Sequence, residues 1–127
     1  MYLLDTHAFL WFIAGDDRLT RRMRSLMADG DRVLLLSIAS IWEIAIKVSL
    51  GKLILTAPFA ELIPQQLATN AIDILPIEVA DLSTLVQLPF HHSDPFDRLL
   101  AAQSRTRSLP LISGDTIFDQ YQVQRLW

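Results

Sequence analysis

The sequence contains no cysteine. That absence excludes a disulfide scaffold, a thiolate nucleophile and a zinc–thiolate site, and it fits a reducing cytoplasmic setting. No apolar run reaches membrane-spanning length, because the most apolar region, 33–55, is interrupted by Glu43, Lys47, Gly51 and Lys52. It reads as core. The start, Met1-Tyr-Leu-Leu-Asp5, has no basic segment and carries a charge where an export signal is apolar, so export is not expected. Neither an internal repeat nor a low-complexity tract is present. An excess of positive charge is missing too: 14 acids against 11 Lys and Arg give a net charge of −3, which taken alone argues against a nucleic-acid partner.

What the sequence does hold is material for one packed domain of 127 residues, 51% of them hydrophobic and only 20% charged. The basic residues cluster, Arg18, Arg21, Arg22 and Arg24 in one stretch and Arg98, Arg105 and Arg107 in another. If five of the acids serve a metal site, 9 are left against 11 bases, and the remaining surface is slightly positive. Total charge therefore does not decide the partner.

The chain alternates between short apolar runs and helical patterns. Tyr2-Leu3-Leu4 is a strand ending at Asp5; Thr6-His7 opens a helix to Ala14, which Gly15 stops. Thr20 caps a second helix, basic on one side, that runs to about Asp29. Val33 to Leu36 reads as a strand buried on both faces. Ser37 or Ser40 caps the next helix, which runs through Leu50, and Ser40-x-x-Glu43 has capping-box spacing. Ile38, Ile41, Trp42, Ile44, Ala45, Ile46 and Val48 circle most of that helix, so cover by the sheet and by a second subunit is expected.

Pro58 begins a helix that Pro64 is expected to bend or split. Ile72 to Leu75 is a strand, and Glu78 to Gln87 a helix with Val79, Leu82, Leu85 and Val86 expected inward. Leu88 to Ser93 is a loop. The helix Asp94 to Arg107, a strand at Leu109 to Ile112, a helical turn to about Gln120 and a strand at Val123 to Leu126 complete the chain. Strands joined through helices in this way predict an α/β fold with a parallel sheet covered on both faces.

Ligands bind beyond the carboxyl ends of the strands in such sheets. Asp5 and Asp115 stand at strand ends of that kind, while Glu43 and Asp97 lie near the starts of helices on the same side. Four acids from four distant segments are thus expected to meet. Crowded carboxylates repel one another unless a cation joins them. Oxygen-only ligation suits Mg²⁺ or Mn²⁺, ions that activate water for phosphodiester cleavage. Each acid also has a plainer explanation: Asp5 as a helix cap, Glu43 as an i, i+4 partner of Lys47, Asp97 as helix-dipole compensation and Asp115 as a turn residue. Asp94 precedes Pro95 and is either the cap of its helix or an outer ligand.

Tyr2-Leu-Leu-Asp-Thr-His7, Ser40-Ile-Trp-Glu-Ile44, Asp94-Pro-Phe-Asp-Arg-Leu-Leu-Ala-Ala-Gln103 and Ser113-Gly-Asp115 resemble the successive acidic motifs of PIN-domain ribonucleases. They are most similar to those of the VapC-like toxins of bacterial toxin–antitoxin pairs. The resemblance spans nearly the whole chain, with the motifs in the family's order. It implies a three-layer αβα fold, Mg²⁺-dependent endoribonuclease activity, a homodimer, and an antitoxin that plugs the cleft. It also implies that Asp5, Glu43, Asp97 and Asp115 are the metal-binding and catalytic quartet, with Asp94 an additional acid. His7 stands where Ser or Asn is frequent in the family, and Ser113 where Thr is frequent.

Thr6, His7, Arg98 and Ser113 are candidates for contacting RNA or supporting the acids, Arg98 being the best placed for the RNA backbone. His91 and His92 stand in the loop before Asp94, where they either line an RNA groove or are only solvated, the usual state of loop histidines, and Trp11, Trp42 and Trp127 are read as packing residues. The competing expectation is a non-catalytic interaction module that keeps this fold and assembles through the Ile38 to Leu50 helix. A phosphatase of the haloacid-dehalogenase type also begins with a strand-end Asp, but that chemistry wants a second Asp where His7 stands.

Overall fold

Strand β1 (Tyr2–Leu4) lies in the middle of a five-stranded sheet, with β2 (Leu34–Ser37) on one side and β4 (Leu111–Ile112) on the other. β3 (Ile72–Leu75) flanks β2 and β5 (Arg125–Leu126) flanks β4, giving the order β3-β2-β1-β4-β5. All four pairings are parallel. The structure is a computed structural model that describes residues 1–127.

Register explains why these strands are apolar at nearly every position. Leu3 pairs with Leu35 and Leu111, and all three enter one core with Leu75, Leu100, Ala101 and Ala102. Leu4 pairs with Leu36 and Ile112, and those side chains enter the opposite core with Phe9, Met23, Ile44 and Ile63. Both faces of the sheet are covered, so alternation with polar residues is absent. The expected α/β sandwich with a central parallel sheet is what forms.

Helices α1 (Thr6–Ala14), α2 (Arg21–Ala28), α3 (Ile38–Ser49) and α4 (Phe59–Thr69) pack with the first core. Helices α5 (Val79–Gln87) and α6 (Pro95–Arg107) and the 3₁₀ helix Thr116–Tyr121 pack with the second. Asp5, Thr20, Ser37 and Asp94 cap the N-termini of α1, α2, α3 and α6 through their side chains. Gly15 ends α1 at φ +65°, a left-handed position where a side chain is strained. No helix is long and apolar enough to cross a membrane.

Four local expectations change. Ser37, not Ser40, caps α3, and Ser40 is buried with its hydroxyl unpartnered, so the Ser40–Glu43 capping box does not form. α4 runs unbroken through Pro64. β4 is confined to Leu111–Ile112 and β5 to Arg125–Leu126, and Pro110 before β4 has no N–H to give a ladder.

Helix α5 is turned about its axis relative to its hydrophobic pattern. Val79, Leu82 and Val86 face solvent, whereas Asp81 is completely buried. Its Oδ2 accepts from the Glu78 backbone N–H at 2.8 Å and from Arg107 of α6 at 3.0 Å. Those two contacts fix the rotation of α5, overriding an apolar stripe worth less than a buried ion pair left unpaired.

Candidate functional site

Strands β1 and β4 are neighbours, yet the chain leaves them in opposite directions across the sheet. The crevice at their carboxyl ends is the topological switch point of the fold, the place where such sheets bind ligands. β1 delivers Asp5 to it and β4 delivers Ser113-Gly114-Asp115.

Asp5 caps α1 by accepting from the Ala8 N–H at 2.6 Å and is 7% exposed. Burial raises its pKa, opposed by the Ser113 hydroxyl, the Ala8 N–H and His7, and reinforced by Asp115. Glu43 reaches the crevice from the second turn of α3. Its Oε1 accepts from the Thr6 hydroxyl at 2.7 Å and its Oε2 pairs with Lys47 at 2.9 Å, so the plain i, i+4 contact is present. Trp42 meets Phe96 edge-on at 5.3 Å, which seats α3 against the start of α6.

Asp97 occupies the first turn of α6. Its carboxylate accepts no hydrogen bond and its pKa is pushed up to about 7. Burial is the main cause; Asp94 is the largest source of repulsion, Glu43 and Asp115 add to it, and His92 opposes them. Asp94 is the helix cap, its Oδ1 accepting from the N–H groups of Phe96 at 2.8 Å and Asp97 at 3.3 Å. Asp115 caps the 3₁₀ helix, Oδ1 accepting from Ile117 N–H at 3.0 Å, while Oδ2 stands 2.8 Å from His92 Nε2.

The tightest grouping is Asp97, Asp115 and His92, which place one ligand atom each within 4.8 Å of one another. Asp5 and Glu43 stand outside that group but within electrostatic reach of it, since Asp115 acts on Asp5 and Glu43 acts on Asp97. A partly buried carboxylate with no hydrogen bond, crowded by three other acids, is a donor set that a hard divalent cation fits. A cleft of about 530 Å³ opens beside it, with Asp5, His7, Trp11, Arg18, Asp115 and Trp127 on its walls. Gly114 lies under Trp127, where a Cβ would come within 2.9 Å of the indole.

The supporting residues divide. Thr6 is buried and holds Glu43; Ser113 is buried and accepts from the Asp115 N–H at 3.0 Å. His7 is exposed and stacks on Trp11 at 5.4 Å. Arg98 is not a surface residue for an RNA backbone: it is 5% exposed and donates to the carbonyls of Leu85, Leu88 and Pro89, with Phe90 over its guanidinium at 4.0 Å. Its guanidinium ties the 88–93 loop to α6 and does not brace the Asp94 carboxylate. Arg18, 68% exposed and paired with Asp16, is the arginine on the cleft wall.

His92 is the residue the sequence hides. His91 is exposed as expected, but His92 is buried against Phe118 and Tyr121 and bonded to Asp115. Nothing local marks it, because its partners lie more than 20 residues downstream. Trp42 packs against Phe96 yet stays 60% exposed, while Trp11 and Trp127 pack edge to face at 5.9 Å.

A sequence profile of the PIN domain matches residues 2–124. No curated protein matches the chain. Among solved structures, FitAcB from Neisseria gonorrhoeae is similar with a TM-score of 0.70 and 20% identity, over 100% of this chain and 97% of that one. VapBC2 from Rickettsia felis, bound to a DNA fragment from its promoter, gives 0.66 and 13%, over 98% and 96%. A toxin–antitoxin complex from Klebsiella pneumoniae gives 0.59 and 17%, over 91% and 88%.

Proposed function

Because this chain belongs to the PIN-domain family, we propose that it is a metal-dependent endoribonuclease acting as the toxin of a toxin–antitoxin pair. One observation carries the reading: Asp97 holds a partly buried carboxylate with no hydrogen bond beside Asp94, Glu43 and Asp115, and its pKa stands at about 7. Such a group is costly unless something positive is bound there.

Asp5, Glu43, Asp97 and Asp115 would hold Mg²⁺ or Mn²⁺. When bound, that ion neutralises the crowded carboxylates, activates a water at neutral pH and stabilises charge on the phosphodiester. The chain's own part is to present the acids in fixed positions. The Ala8 N–H fixes Asp5, Thr6 and Lys47 fix Glu43, and the Ile117 N–H and His92 fix Asp115. Asp97 is held only through its helix, so it gains most from a cation. Arg18 supplies positive charge on the cleft wall for an RNA phosphate, and His7 and Trp11 line the approach.

The toxin role draws on the likeness of the whole fold to FitAcB, VapBC2 and the Klebsiella complex. A cognate antitoxin covering the cleft is the expected protein partner. Homodimerisation is expected through α3 and its C-cap, where Ile38, Trp42 and Leu50 are exposed.

The second reading, a non-catalytic interaction module, takes support from Glu43, whose two oxygens are engaged by Thr6 and Lys47. Titration of purified protein with Mn²⁺ separates the two. A melting temperature that climbs with Mn²⁺, accompanied by cleavage of a 5′-labelled single-stranded RNA, supports the nuclease. Neither a shift nor cleavage supports the module.

A further inference from the structure

Resting on that nuclease reading, we infer that His92 and Tyr121 form a positioning relay: Tyr121 sets the tautomer of His92, and His92 fixes the Asp115 carboxylate. One group here can only donate, and in the neutral imidazole it orders the remaining bonds. The backbone N–H of His92 donates to the Tyr121 hydroxyl oxygen at 2.8 Å. The hydroxyl keeps one proton to give, and the acceptor within reach is His92 Nδ1 at 3.1 Å. With the ring neutral and Nδ1 accepting, its one proton sits on Nε2, 2.8 Å from Asp115 Oδ2.

The imidazole has no freedom to turn. It lies parallel to the Tyr121 ring within 5° at 5.5 Å, and Phe118 stands 4.7 Å from it. Tyr121 and Phe118 are each 1% exposed. His92 also bridges the two ends of the 3₁₀ helix, since Asp115 caps its start and Tyr121 closes it. The loop that carries His92 runs directly into Asp94 and Asp97. One side chain therefore ties the segment bearing Asp115 to the segment bearing Asp97, and so sets the spacing of the two acids.

Both Asp115 oxygens are held, Oδ1 by the Ile117 N–H and Oδ2 by His92. Loss of the Nε2–H donor frees the carboxylate to rotate about its remaining bond. Residues that orient metal ligands in this way commonly change metal affinity about 10- to 100-fold when removed.

The test reads the tautomer and the metal separately. In metal-free protein labelled with ¹⁵N-histidine, long-range ¹H–¹⁵N correlation is expected to show His92 as the Nε2–H form, and Tyr121→Phe to give a mixture of tautomers. An Nδ1–H in the natural chain, in the neutral ring or in an imidazolium, overturns the relay. So does a switch to Nδ1–H on adding Mg²⁺, which would make His92 a ligand in its own right. Calorimetric titration with Mn²⁺ is expected to show affinity about 10- to 100-fold weaker for His92→Ala and largely restored in His92→Gln, which keeps an N–H near the Nε2 position. Equal losses in the two variants, with both folded, would reduce His92 to packing and overturn the inference. Failure of the natural protein to cleave RNA contradicts the nuclease reading, and is distinguishable because the tautomer is read without metal or RNA.

Discussion

The Thr6 hydroxyl donates to Glu43 Oε1 at 2.7 Å, joining the first residue of α1 to the second turn of α3 across 37 positions. Both residues are buried, so the bond positions a carboxylate and also satisfies it. Thr6→Val keeps the shape and removes the donor. The expected result is a loss of about 1–3 kcal/mol, the penalty of a buried acceptor left unpaired, read by urea denaturation, with weaker Mn²⁺ binding. A variant as stable as the natural chain would contradict the role given to Thr6.

Asp97→Asn removes the charge that crowds Asp94, Glu43 and Asp115. We expect RNA cleavage to disappear while metal-free stability stays level or rises by about 1 kcal/mol, as is common when a strained functional residue is replaced. Thermal melts without metal check this. A large drop in melting temperature would assign Asp97 a structural role instead.

The same group gives a pH dependence with a defined sign. Its pKa rises from 3.8 to about 7 on folding, so between those values the folded chain holds a proton that the unfolded chain has released. The natural chain, metal-free, therefore loses stability relative to Asp97→Asn as pH rises through that window, and the difference levels off above it. Asp5, shifted in the same direction by burial, contributes to both chains alike. Saturating Mg²⁺ should reverse the trend, because a cation favours the deprotonated acids. Melting temperatures of the two proteins from pH 4 to 8 give the difference curve; a flat curve contradicts the shift.

Arg107→Ala leaves the Asp81 carboxylate completely buried without its ion pair. Stability should fall by about 1–3 kcal/mol, less than for a fully buried pair because Arg107 is partly exposed and the Glu78 N–H still serves the carboxylate. Loss of rigidity between α5 and α6, followed by hydrogen exchange, should accompany it.

Arg98→Ala tests the reassignment of that arginine. Because its guanidinium serves three backbone carbonyls, the variant should be less stable by about 2 kcal/mol. RNA binding by the folded fraction should keep its salt dependence, whereas Arg18→Ala should reduce the slope.

The parallel sheet was legible because Tyr2-Leu-Leu and Leu34-Leu-Leu are apolar at successive positions, a pattern that only a strand buried on both faces needs. That Asp5, Glu43, Asp97 and Asp115 stand at one edge of the sheet was legible because strand ends and helix starts can be located from caps and periodicity, but not that His92 joins Asp97 and Asp115 in the tightest group. Side-chain partners across the fold were not. Asp81 turns α5 because Arg107 waits 26 residues away, and His92 is buried because Tyr121 lies 29 residues downstream. Arg98 looked like an RNA contact from its place beside Asp97, but its acceptors are main-chain carbonyls that no residue pattern announces.

Cleavage of total RNA by the purified natural chain, in Mg²⁺ and in EDTA, with Asp97→Asn alongside, is the most direct measurement. New ends that appear only with the natural chain and Mg²⁺ are the predicted result. Cleavage that persists in EDTA, or in Asp97→Asn, would contradict a nuclease site built on the β1/β4 acids.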